Sequence, residues 1–137
     1  MRMIPMMLVA AVMVVTGVQA GAKPRETGEA ALAKEIEGRV PGKPVNCLFL
    51  RDIRSTRIID GTAIIYESSG NLLYVNRPAS GASSLNRNDV LVTSTSISQL
   101  CNVDIVRLYD MASRFQRGSV GLGDFVPYKK VKPAPAG

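Results

Sequence analysis

Residues 55–77 read STRIIDGTAIIYESSGNLLYVNR. Three runs in it, "TRIID", "TAIIYES" and "LLYVNR", are rich in β-branched and aromatic side chains, which suit a pleated, half-buried surface. Asp60-Gly61 separates the first two runs, and Gly accepts the positive φ that a tight hairpin turn requires. "ESSGN" supplies the second turn. The stretch therefore reads as a three-stranded antiparallel meander.

The β pattern extends both ways. Upstream, "VNCLFLRDI" (residues 45–53) forms one short strand. Downstream come "VLVTSTSI" (90–97), "VDIVRLYD" (103–110) and shorter pieces around "GSVGLGDFVPY" (118–128). Gly118, Gly121 and Gly123, closely spaced, suggest a bulge or bend in the last strand. Six or seven short strands predict a mainly β fold over residues 45–128, a small antiparallel barrel or sandwich. One helix precedes it, over residues 27–39 within a polar leader spanning 21–44. Thr27 caps it, Leu32, Ile36 and Val40 share a face, Glu35 and Arg39 form an i,i+4 pair, and Pro41-Gly42 ends it. It is expected to cover an open end or an edge strand.

The first twenty residues predict the compartment. Arg2 gives a positive start, Ile4 to Val15 is an uncharged apolar run, and "VQA" suits cleavage between Ala20 and Gly21. The apolar run is shorter than the roughly 20 residues a spanning helix needs. The reading is a signal peptide and a periplasmic or secreted chain. In that setting Cys47 and Cys101, the two cysteines, read as one disulfide. Two Cys without His fall short of a structural zinc site, and no Cys-x-x-Cys is present.

Net charge is +6, but it is unevenly placed. Between Cys47 and Tyr128, eight Arg face seven carboxylates, whereas Lys129, Lys130 and Lys132 lie in a basic, Pro-rich tail over 129–137. No basic face for specific nucleic-acid binding is expected. Membrane contact is expected only through the signal peptide, or weakly through the lysine tail.

His is absent, which removes the commonest general base and the serine and cysteine triads that depend on it. Ser80, Ser83 and Ser84 in the Pro78–Asn88 loop have no base nearby in sequence, so the loop reads as a connection between strands. Arg77 and Arg87 flank it and could bracket an anionic group or pair with Asp89. Asp60 and Asp104, beside turns or strand ends, are the carboxylates singled out for ligand contact. No catalytic residue, metal ligand or cofactor is assigned.

The segments "GRVPGKPVNCL", "IRSTRIIDGTAIIY", "LYVNRP", "SQLCNVDIVRLYD" and "LGDFVPY" resemble a family of small exported bacterial proteins of uncharacterised function. The resemblance runs from Arg39 to Tyr128 and rests on the spacing of Cys47, Asp60, Arg77, Cys101, Asp104 and the final segment. It implies export and a compact β domain, and it implies no activity. The functional expectation is an exported, non-catalytic β domain that binds a protein or a cell-envelope component. The alternatives are a small envelope hydrolase using carboxylates and a weak binder of anionic glycan or lipid head groups.

Overall fold

The structure, a computed structural model, describes residue 17 and residues 26–131. The signal peptide, its cleavage point at Ala20 and Gly21, and the end of the tail lie outside the described residues. One helix, α1 (Gly28–Glu35), precedes ten strands: β1 (Arg39–Pro41), β2 (Cys47–Phe49), β3 (Ile53–Ile59), β4 (Ala63–Ser68), β5 (Leu72–Asn76), β6 (Asp89–Thr93), β7 (Gln99–Cys101), β8 (Ile105–Asp110), β9 (Gln116–Gly121) and β10 (Phe125–Lys130). They form a five-stranded sheet ordered β1-β10-β5-β4-β3, a three-stranded sheet β6-β8-β9 and a two-stranded ribbon β2-β7. All pairings are antiparallel, and no sheet closes into a barrel. The architecture is a sandwich.

The meander is β3-β4-β5, with its turns where the sequence places them. The Ile59 carbonyl accepts from the Thr62 amide at 3.0 Å, and Gly61 takes φ +61°. The second turn uses Gly70 at φ +76° and Asn71 at φ +59°. β4 is buried on both faces, which is why "AIIY" shows no polar alternation. Ile64 and Tyr66 face a core with Leu100, Val106 and Leu108 from the other sheets and Phe125 from β10 of their own. Ala63 and Ile65 face a second core with Leu32 of α1, Leu73 and Val75. The helix thus covers a face of the large sheet and also runs beside its edge strand β3, rather than an open end.

Thr27 caps α1 as expected, its Oγ1 accepting from the Ala30 amide at 3.2 Å. The helix stops at Glu35, four residues earlier than the spacing predicts. Gly38 adopts φ +72°, and Arg39 begins β1 along β10. Val40 is accordingly exposed, Arg39 donates to the carbonyls of Asn71 and Tyr128, and Glu35 pairs with Arg57 instead. Lys129 and Lys130 belong to β10 opposite Val40 and Arg39, so the sheet runs two residues into the expected tail. Ten strands rather than six or seven arise because the pieces around residues 118–128 form two strands, β9 and β10, and because β1 and β7 have only three residues each. Such strands are too short to show a period.

The Pro78–Asn88 connection has a structural task. Ser80 and Gly121 exchange backbone hydrogen bonds of 3.4 and 3.1 Å, and a short helical turn (Ala82–Ser84) follows. Gly81 sits at φ +76°, and a Cβ there would meet the Ser119 carbonyl at 2.6 Å. The loop therefore lies against β9 and covers its edge. Gly118 borders the register shift between β8 and β9, whereas Gly121 lies at the far end of β9 opposite Ile105. Gly123 exchanges hydrogen bonds of 2.7 and 3.0 Å with the buried side chain of Asn76.

Candidate binding groove

A groove of about 910 Å³ opens between α1, the edge of β3 and the turn at Asn86–Asn88. Ala31, Lys34 and Glu35, one face of the helix, form one wall. Arg87 and Asp60 form another, and Thr56 to Ile59 supply a strand edge. Backbone alternation fixes what that edge presents. The Ile59 carbonyl points at β4 to meet Thr62, so the amides and carbonyls of Ile58 and Thr56 point away from β4. β3 pairs with no other strand among the described residues.

The charges of the groove are matched in place. Lys34 meets Glu26 at 2.6 Å, Arg57 meets Glu35 at 3.0 Å, and Arg87 Nε meets Asp60 at 3.0 Å. The other Asp60 oxygen accepts from the Arg87 amide at 2.6 Å. The hydrogen bond to Glu26 holds the Lys34 ammonium above its usual pKa. Three cations thus face three carboxylates, all solvent-accessible, with no net charge left over. Exposed pairs of this kind contribute little stability, about 0–1 kcal/mol each. An anionic group entering the groove would first have to displace a carboxylate.

Of the four residues singled out in sequence, the structure brings Asp60 and Arg87 together. Arg77 lies apart from that pair. Its guanidinium grips Glu29, in the first turn of α1, at 2.6 and 3.0 Å. The bidentate bond lowers the Glu29 pKa and raises that of Arg77. Arg77 and Arg87 therefore do not bracket an anion, and neither pairs with Asp89. Asp104 shapes the β7–β8 turn, its carboxylate accepting from the Cys101 amide at 2.6 Å. Asp60 and Asp104 each have their own donors in different turns, and no hydrogen bond or shared partner links them.

Cys47 and Cys101 form the expected disulfide. They are direct partners in the β2-β7 register, with Cα atoms 4.0 Å apart. The Asn102 amide donates to the Asn46 carbonyl at 2.8 Å just beyond them, so the cysteines occupy a non-hydrogen-bonded pair, where cross-strand side chains come closest. Beside this ribbon lies a cavity of about 230 Å³, lined by Val45, Cys47, Phe49, Ile53 and Tyr74 among others. That is below the usual size of a small-molecule site, roughly 300–1,000 Å³. Among the described residues, no group of three or more His, Cys, Asp or Glu side chains could hold a metal ion.

One buried charge escaped the sequence reading. The Asp89 side chain is 0% exposed, and Arg117 Nη1 reaches one oxygen at 3.3 Å. The second oxygen has no partner. Arg117 can turn toward it because the β8–β9 register slips here, leaving Arg117 between Gln116, opposite Tyr109, and Gly118, opposite Leu108. The available signal was Asp89 itself, an acid opening the alternating strand "DVLVT". Its partner, from another strand, left no local trace.

No family model matches this chain, nor does any curated protein in sequence or any solved structure in fold.

Proposed function

We propose that this chain is an exported, non-catalytic binding domain whose groove receives an extended segment of a protein partner. Main-chain hydrogen bonds to the β3 edge would carry most of that recognition, as in strand addition to an open sheet. The single observation that supports this is the pair of outward backbone units at Thr56 and Ile58, lying inside a groove whose own charges are already matched. Such a site favours an uncharged backbone over a strongly charged ligand. The N-terminal sequence pattern, the disulfide and the resemblance to small exported bacterial proteins support export. An anionic glycan or lipid head group finds less support, because each groove cation already has a carboxylate. A carboxylate hydrolase finds less support too, because Asp60 and Asp104 serve separate turns.

The test places a photo-crosslinking residue at Asn88 in cells that produce the full chain. Mass spectrometry should find a polypeptide adduct. That adduct should vanish when Thr56→Pro is added, since the Thr56 amide faces the groove and its loss leaves β3-β4 pairing intact. The melting temperature of the doubly changed protein should stay within a few degrees. An adduct with glycan or lipid, or a polypeptide adduct indifferent to Thr56→Pro, overturns the proposal.

A further inference from the structure

The sandwich has four strands at the edges of its two larger sheets, and three of them carry a blocking device. β1 has three residues and ends in Pro41. β9 lies under the loop that bridges Ser80 to Gly121. β3 is irregular at Arg54, carries Arg57 and is walled by α1 and the Asn86–Asn88 turn. These are the usual defences of an open edge. β6 has none among the described residues: its sequence, DVLVT, has no Pro, Lys, Arg or bulge, and there it pairs with β8 alone.

Backbone direction sharpens the point. The Asp110 amide and carbonyl bond Phe115 and Arg114, on the β9 side of β8. Asp89, opposite Asp110, is therefore in a non-hydrogen-bonded pair. By alternation Val90 and Val92 bond to β8, and Leu91 and Thr93 turn their N–H and C=O outward. The Asp89 amide is used by the Asn86 carbonyl at 2.9 Å, but its own carbonyl points out.

We propose that this edge pairs with β6 of a second copy of the chain, antiparallel, about a two-fold axis at Leu91. The strand is close to a palindrome there, Val90-Leu91-Val92, so one surface serves both sides of the axis. The two Leu91 residues exchange both backbone hydrogen bonds, and each Thr93 amide reaches the partner's Asp89 carbonyl. Val90, 42% exposed, comes beside the partner's Val92, 37% exposed. The charges permit the approach. Asp89 faces the core toward Arg117 and meets only the partner's Thr93, and Arg87 falls opposite the partner's Thr95. No like charges oppose one another, which a strand of a basic or acidic partner would not guarantee.

The test uses the mature chain in sedimentation equilibrium over a concentration series. Wild type should show a reversible monomer–dimer equilibrium. The double variant Val90→Lys, Val92→Lys puts like charges in opposition across the axis and should weaken dimerisation by about tenfold or more. Both positions face solvent, so its thermal midpoint at low concentration should stay near wild type. Mixing it with Val90→Glu, Val92→Glu should restore a heterodimer, because opposite charges then meet. A wild type that stays monomeric at millimolar concentration overturns the proposal. So does a dimer undisturbed by the lysines, or a failure of the mixed variants to associate when each is folded. An association that survives Thr56→Pro but not the lysines separates this contact from the groove.

Discussion

In the five-stranded sheet, β4 buries Ile65 under α1 and Ile64 against the facing sheet. In the three-stranded sheet, β8 buries Val106 and Leu108 on one face and turns Ile105 and Arg107 to solvent on the other. Val90 and Val92 extend that outward face. Side-chain type alone does not distinguish the two sheets, since "AIIY" and "VLV" are equally apolar. What separates them is whether a further element lies on the second face. The large sheet acquired α1, and the small one has nothing among the described residues. Apolar residues therefore hold the first sheet together, while in the second some are left available for contact.

The disulfide ribbon joins these two regions, since Leu48 and Leu100 beside the cysteines fill the core between them. Replacing Cys47 and Cys101 by Ser should cost about 4 kcal/mol in the chain-entropy model, the bond closing a loop with a sequence separation of 54. Urea midpoints read with a common slope check it. An unchanged midpoint would mean that the sheets hold by packing alone.

Within the sheets the comparison predicts unequal costs. Ile65→Ala, at a fully buried position, should cost about 3 kcal/mol. Val92→Thr, on the open face, should stay within about 0.5 kcal/mol at low protein concentration. If both changes shift the denaturation midpoint alike, the open face is covered in solution and the contrast between the sheets fails.

A change of opposite sign is expected at Tyr66, where the two sheets meet. Its ring packs edge-on to Phe125, with centroids 5.5 Å apart, and its hydroxyl is buried without a partner. Burial raises the phenol pKa well above its usual 10.0. Below pH 10 both folded and unfolded states hold the proton. Above it the unfolded state releases the proton first, so stability falls as pH rises toward the raised folded value. Tyr66→Phe should remove this alkaline slope and gain up to about 1 kcal/mol at neutral pH. Thermal melts at pH 8 and pH 11 measure both. A steeper alkaline loss in the Phe variant would refute the account.

Much of this was legible because it was local. Asp60-Gly61 and Ser69-Gly70-Asn71 mark their turns with residues that tolerate the required φ, and runs of five to seven residues between such marks identify β3, β4 and β5. Cys47 and Cys101 could be paired because there was no other choice. The helix end was misread because Leu32, Ile36 and Val40 keep a helical spacing while Gly38 turns the chain away. In the groove, Asp60 and Arg87 were picked out separately for their types and positions. That they pair, and that Arg77 instead holds Glu29 48 residues earlier, depends on contacts between distant segments, for which one sequence gives no period.

The position of β10 bears on how the chain comes to be folded. This last strand lies between β1 and β5, in the interior of the large sheet. A chain made from its N-terminus can form the β3-β4-β5 hairpins early, since those contacts are short in sequence. Until residues 125–130 exist, however, β1 has no strand to pair with, and β5 keeps an open side. Phe125, fully buried in the core between the sheets, is missing for the same period. The large sheet therefore stays open at its centre until residues 125–130 have been made, a state in which a chaperone can intercept the chain.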